Sequence, residues 1–251
     1  MMDRDYWENV ADSYDTEIFS VLEHDSDQLI GRRIERFGDP EAAAADLGCG
    51  VGHFIPLLAE NFGRVLACDL SAQCLDQARE RYADLASVDY ARVDLAGRPN
   101  ARPDFDFALC INVLITEDLA ARSRALRNLS GYLREGGHLI LVVPSLESAL
   151  LTSARIIQWN LRDGHAPAEA ACLGLPRHGS VRQLHRGNLP IDGVPTKHYL
   201  REELEFLLPD HGFEIEEMEK IPYSWSTEFD DPPAWMQQPH PWDWMVVARR
   251  E

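Results

Sequence analysis

The stretch DLGCGVGHF, residues 46–54, sets the terms on which the rest of the chain is read. Gly48, Gly50 and Gly52 alternate along it, and Asp46 leads them. Before it, AAAADL (42–47) has the short apolar run of a buried strand. After it, HFIPLLAEN (53–61) places Phe54, Leu57 and Leu58 at helical spacing. In a strand–turn–helix unit of this kind, glycine lets the backbone approach a ligand closely. The N-terminus of the helix then directs free N–H groups at the same spot. A dinucleotide loop would need a third glycine at position 53, where His53 stands, and no Gly-Lys-Ser/Thr follows to make a phosphate loop. Pyrophosphate is therefore disfavoured.

Outward from the loop, strands and helices alternate. RVLACDL (64–70), VDYARVDL (88–95), FDFALCINVL (105–114) and HLILVVP (138–144) read as strands. Between them lie the helices 72–82, which Ser71 can cap, and 119–135, stopped by Gly136-Gly137. Upstream, helices are expected over 4–14 and 26–37, with Asp25 or Ser26 as the cap of the second. The alternation predicts a doubly wound α/β fold, a parallel sheet with helices on both faces. After Pro144 it breaks. A helix over 146–161 precedes a stretch rich in Gly, Pro and His, then a helix over 201–212 and strands over 213–223 and 242–250. The alternation in 213–223 falters near Glu217. We expect one domain, 1–251, with a helical cap over 1–40 and an inserted lid over 145–199, because so long an irregular segment is usually functional or disordered.

Asp69 stands at the end of the second strand and Asp94 at the end of the third, in register with Asp46. A carboxylate at the second can accept from both hydroxyls of a ribose, and one at the third from an exocyclic adenine amine. Three acids suit a ligand with donors and a positive charge. Each alone would more often be a cap or turn residue.

With ADLGCGVG (45–52), VLACDLSAQCLDQARERY (65–82), ARVDL (91–95), FDFALCINVL (105–114) and LREGGHLILVVPS (133–145) in place, the chain resembles the class I S-adenosylmethionine-dependent methyltransferases of the small-molecule type. The likeness covers about residues 5–145 and 200–250. It implies a Rossmann-like, mainly parallel seven-stranded sheet with a reversed last strand. It also implies S-adenosyl-L-methionine as cofactor and S-adenosyl-L-homocysteine as product. By the same resemblance Asp46, Gly48, Cys49 and Gly50 line the methionine part and Gly52 lets the loop close. Asp69 holds the ribose with Leu70 beside the adenine, Asp94 meets the adenine amine with Leu95 packed beside it, and Asn112 and Val113 touch the other side. Tyr14 matches an aromatic that relatives fold over the site. The His that many such enzymes carry after the fourth strand is replaced by Thr116 or Glu117 in VLITED (113–118).

The implied reaction moves a methyl group to O, N or C of a small molecule by in-line displacement. No metal is implied, since no HExxH or clustered Cys/His motif occurs. A base is needed only where the nucleophile carries a proton. His198 or Tyr199, just before the helix at 201–212, is the candidate. Within 151–200 stand six basic residues (Arg155, Arg162, Arg177, Arg182, Arg186, Lys197) against three acidic ones (Asp163, Glu169, Asp192), with His165, His178, His185 and His198. That island of positive charge suggests an anionic group on the substrate; a solvated charged loop would look the same. Trp242 and Trp244 read as sheet packing, and Trp235 as a pocket wall or an exposed cover.

A formal net charge of -18 argues against nucleic acid as a partner. The five cysteines have no CxxC spacing and read as buried, reduced thiols. The charged opening MMDRDYWENV is no signal peptide, and no apolar run is long enough to span a membrane, so a cytoplasmic protein without membrane partners is expected. A homodimer is compatible with the sequence. Two further readings stand beside the small-molecule enzyme: a non-catalytic S-adenosylmethionine-binding partner or sensor, and a protein or peptide methyltransferase. A nicotinamide-dependent reductase is disfavoured by His53.

Overall fold

The computed structural model describes residues 4–14, 18–98, 104–173, 180–191 and 193–251. The strands of its main sheet are β1 (Asp39–Leu47), β2 (Phe62–Asp69), β3 (Val88–Arg92), β4 (Phe105–Ile111), β5 (Leu133–Pro144), β8 (Phe213–Pro222) and β9 (Trp242–Arg250). A separate hairpin pairs β6 (Asn188–Ile191) with β7 (Val194–Lys197). The helices are α1 (Arg4–Val10), α2 (Val21–His24), α3 (Leu29–Phe37), α4 (Ile55–Asn61), α5 (Ala72–Arg81), α6 (Leu119–Ser130), α7 (Leu146–Arg162), α8 (Pro167–Leu173), α9 (Val181–Leu184) and α10 (Arg201–Leu207).

The sheet order is β3-β2-β1-β4-β5-β9-β8, and β9 alone runs against its neighbours. The chain winds from β1 outward to β3, then crosses back to β4 on the other side of β1. The order therefore reverses between β1 and β4, where an open sheet leaves a crevice beyond its carboxyl ends. β5 is apolar from Leu139 to Val143 because both its faces are covered. Leu139, Leu141 and Val143 meet Leu126 and Leu129 of α6 and Leu204 of α10. Ile140 and Val142 share the opposite layer with Ile30 and Ile34 of α3, Leu58 of α4 and Ala78 of α5.

Several boundaries differ from the sequence reading, each for a local reason. The helix expected over 26–37 is α3 alone, which starts at Leu29, and the short α2 precedes it. Asp25 does cap α3, its carboxylate accepting from Leu29 N and Ile30 N, each at 2.9 Å. The helix expected over 119–135 ends at Ser130. Gly136 and Gly137 lie inside β5, where the β4–β5 register slips between Phe105 and Phe107. The third strand ends at Arg92, so Asp94 stands two residues beyond it. The break near Glu217 is a register shift between Ile215 and Glu217. Cys68, Cys74 and Cys110 are buried and all five thiols are free, but Cys172 is exposed, against expectation.

The segment after Pro144 is more ordered than its composition suggests, holding α7, α8, α9 and the β6–β7 hairpin. Its two ends meet. Tyr199 N donates to Pro144 O (2.8 Å) and Leu146 N to Tyr199 O (2.9 Å). Arg177, His178 and Asp192 lie outside the described residues. Among the described residues no helix is long and apolar enough to cross a membrane.

Candidate active site

The glycine loop is built on its neighbour strand. Gly48 N and Cys49 N both donate to Cys68 O, at 2.8 and 2.9 Å. Gly48, Gly50 and Gly52 have φ of 88°, 54° and 89°, values that side-chain-bearing residues rarely adopt. A Cβ on Gly48 would fall 2.3 Å from Val113 Cγ2, and one on Gly50 2.3 Å from the Tyr14 hydroxyl. Glycine thus lets Val113 and Tyr14 close directly on the loop.

Asp69 ties this loop to the next helix. Its Oδ2 accepts from Gly50 N and its Oδ1 from Ser71 N, both at 2.9 Å. A carboxylate has about four acceptor positions, so about two remain for a ligand. Ser71 caps α5 as expected, accepting from Cys74 N at 3.1 Å. Sequence reasoning missed Glu8 of α1. Its carboxylate accepts from Ser71 Oγ (2.8 Å), Ala72 N (3.1 Å), Gln73 N (3.1 Å) and an Arg92 guanidinium nitrogen (3.1 Å). These bonds pin the N-terminal cap to the start of α5, beside Asp69. No local pattern marks Glu8, because its partners are more than sixty positions away.

Asp46 is buried, and burial together with the nearby Asp69 charge pushes its carboxyl up to about 7. The same burial and the charges of Asp46 and Asp69 hold the Cys49 thiol well above its ordinary value, and burial raises the Tyr14 phenol. Both therefore stay neutral. Asp94 is exposed, and its Oδ1 accepts from Ala96 N at 2.9 Å. Leu95 is buried, and Asn128 of α6 donates to Leu95 O (2.7 Å) and Gly97 O (3.2 Å), fixing this loop. A cleft of about 190 Å³ opens here, walled by Asp94, Leu95, Gly97 and Asn128. Leu70 is half-buried, and its carbonyl accepts from Arg92 Nε at 3.1 Å. Asn112 has a φ of 53° where β4 leaves the sheet, and its N–H donates to Val142 O at 3.0 Å.

The geometry therefore brings Tyr14, Asp46, Gly48, Cys49, Gly50, Gly52, Asp69 and Val113 together, with Asn112 beside Val113, while Asp94 and Leu95 form the neighbouring loop. A family model described as a methyltransferase domain matches residues 45–139, which span this loop, strands β2 to β4 and the first part of β5. The chain is 30% identical over 191 residues to malonyl-[acyl-carrier protein] O-methyltransferase of Serratia marcescens, a stretch covering 72% of this chain and 69% of that protein. The chain belongs to the S-adenosylmethionine-dependent methyltransferases. It is also 34% identical over 109 residues to trans-aconitate 2-methyltransferase of Azoarcus sp. (strain BH72), covering 42% of this chain and 40% of that protein. The curated relatives it matches are spanned unevenly, over 32%, 69% and 40% of their lengths. Among solved structures it resembles an S-adenosylmethionine-dependent methyltransferase from Mesorhizobium loti, with a TM-score of 0.61 and 25% identity, covering 87% of this chain and 96% of that one.

The residues of this methyltransferase fit its cofactor on structural grounds. The positive-φ glycines would let backbone approach a ligand, Asp69 keeps acceptor positions that ribose hydroxyls would fill, and a buried Asp46 beside a second carboxylate would favour a cation. Among the described residues no group of three or more His, Cys, Asp or Glu could hold a metal ion.

The proposed bases fare differently. Tyr199 is buried in the core and its hydroxyl donates to Leu114 O at 2.6 Å, which corrects the expectation that it serves as base or substrate donor. His198 is buried with Nδ1 3.0 Å from Thr196 O, and burial pushes it down to about 4. It is neutral at pH 7 and a weak base. Tyr199→Phe removes one hydrogen bond, so a loss of about 1 kcal/mol is expected. In a chain of this size that is a fall of about 2–4 °C in Tm. Thermal melting checks this, with S-adenosylhomocysteine affinity unchanged. VLITED is held in place by the segment around it. Lys197 N donates to Ile115 O (2.7 Å), Gln183 Nε2 to Glu117 Oε2 (3.1 Å), and Arg122 to Thr116 O. Thr116 and Glu117 are thus anchors of this loop.

Three cations of the positive island of 151–200 are engaged internally. Arg155 donates to Gln238 O (2.8 Å) and Gln237 O (3.2 Å), and Lys197 pairs with Glu203 at 2.6 Å. Arg162 lies 3.9 Å over the Trp235 ring, so Trp235 is a stacking partner for α7. Trp242 and Trp244 meet edge to face at 6.0 Å, with Lys220 over Trp242.

Proposed function

We propose that this methyltransferase acts on a small molecule held between the N-terminal cap and the 145–199 insertion. The observation that carries the reading is the roof over the carboxyl ends of the strands. Tyr14 closes on Gly50, and Phe19, five residues on, packs edge to face on Tyr223 at 4.8 Å. Tyr14 and Phe19 thus each lie over one half of the site, an arrangement that suits a compact acceptor. The net charge of -18 also disfavours nucleic acid. One named relative, the trans-aconitate 2-methyltransferase, supports a small acceptor; the other is named for a malonyl group on an acyl-carrier protein.

The cofactor supplies a methyl group already activated on a sulfonium. The chain's residues then have to align the acceptor and exclude water. Asp69 holds the loop and keeps acceptor positions for the cofactor, and Val113 packs against Gly48 on the side from which an acceptor would approach. To test the reading, the protein is incubated with a cell extract and methyl-labelled S-adenosylmethionine. Label is expected in the low-molecular-mass fraction. Label confined to proteins or nucleic acids would overturn it.

A further inference from the structure

Asp243, the second residue of β9, pairs with Pro144, the last residue of β5, so it stands at the carboxyl end of the parallel sheet. Its Oδ2 accepts from the Tyr223 hydroxyl at 3.0 Å. The Asn112 amide also approaches its carboxyl. Asn112 is the residue at positive φ that ends β4, and its neighbour Val113 is the one that packs on Gly48. Asn112 Oδ1 is buried and has no partner in the protein, although buried amide oxygens are normally satisfied. Phe19 lies over Tyr223. A polar group is thus linked to the glycine loop through two consecutive residues and lies under the same roof, and the cofactor residues do not use it.

We propose that Asp243, oriented by Tyr223 and Asn112, binds the acceptor and selects a nucleophile that carries a proton, a hydroxyl or an amine, over a carboxylate. This rests on the methyltransferase reading above. As the nucleophile's lone pair bonds to the methyl carbon, the carbon–sulfur bond breaks and its electron pair stays on sulfur. The proton on the nucleophile passes to the Asp243 oxygen that Tyr223 leaves free, and then to solvent. Asn112 Oδ1 accepts a second donor from the acceptor. A carboxylate acceptor has no proton to give and would bring its charge against Asp243 and Glu228.

Burial and the Glu228 charge push the Asp243 carboxyl up to about 6, while Tyr223 and Asn112 pull it down. It is ionised at neutral pH and still basic enough to take a proton. The titratable groups facing it are Tyr223 at the end of β8 and Glu228 after it, with Asp25 of the cap acting on Tyr223.

The test uses the full chain saturated with S-adenosylhomocysteine and three probes of similar size: benzylamine, p-cresol and benzoate. Calorimetry should show benzylamine or p-cresol binding more tightly than benzoate. Asp243→Asn should weaken the favoured probe by about tenfold or more, as expected for a hydrogen bond to a charged group. S-adenosylhomocysteine affinity should stay within about twofold, since the cofactor contacts lie elsewhere. Benzylamine binding to the wild type should tighten as pH rises through about 6, and the Asn variant should show no such step. If Asp243→Asn does not fold, Tyr223→Phe carries the comparison, with a several-fold loss expected. Preference for benzoate, binding of none of the probes, or variants that bind like the wild type would each overturn the proposal. Failure of S-adenosylhomocysteine itself to bind the wild type would instead sink the methyltransferase reading.

Discussion

Asp69→Ala is expected to weaken S-adenosylhomocysteine binding by at least about a hundredfold, because it removes the proposed ribose acceptor and loosens the loop at once. Two backbone donors, Gly50 N and Ser71 N, lose their partner. An unsatisfied buried donor costs about 1–3 kcal/mol, and one hydrogen bond to a charged group contributes about 1.5–3 kcal/mol to binding. Two such bonds to a ribose account for about a hundredfold or more. Calorimetry measures the affinity and thermal melting the accompanying loss of stability. Asp69→Asn has a single acceptor oxygen and should fall between the two. An alanine variant that binds within about tenfold of the wild type would mean that Asp69 serves the loop alone.

The second large effect is a pH dependence set by Asp46. Its carboxyl titrates at about 7 in the free protein because burial and the Asp69 charge disfavour the ionised form. A cationic ligand favours that form, so binding lowers the value and releases a proton. Below about 7 the affinity for S-adenosylmethionine should therefore fall by about tenfold per pH unit, down to the value in the complex. Stability of the free protein runs the other way. The folded carboxyl binds its proton more tightly than the unfolded one, so Asp46 contributes stability below the ordinary carboxylate range that is lost as pH rises toward about 7. Asp46→Asn should remove the slope in binding and raise the Tm of the free protein at neutral pH. Calorimetry in buffers of different ionisation enthalpy would detect the released proton. An affinity that is flat with pH in the wild type would show that the carboxyl is already ionised.

The sheet and the glycine loop were legible because they rest on local patterns. DLGCGVGHF, the capping Ser71 and the doubly apolar β5 each carry their own signal within a few residues. The acceptor side was not legible, for a physical reason. Asp243 lies in β9, Tyr223 just after β8 and Asn112 just after β4, and the reversed pairing of β9 brings them together. Asp243 sits between Trp242 and Trp244, whose size drew the reading of that strand toward packing. Glu8 is the same case, a carboxylate that caps a helix from another helix. Tyr199 misled in the opposite sense. Its type and place suggested chemistry, while its environment, a buried ring bonded to Leu114 O, is structural. In the positive island over 151–200, net charge counts cations without asking which are already paired, as Lys197 is with Glu203.

The closure at Pro144, Leu146 and Tyr199 has an evolutionary consequence. An insertion whose two ends are hydrogen-bonded side by side imposes no displacement on the strands that carry it, and such sites tolerate exchange of what they carry. The segment between them can therefore diverge as an interchangeable cassette while the loop, Asp69 and Asp46 stay as they are. Selection for a new acceptor can then act on a separable part of the gene, and the cofactor machinery need not be reinvented.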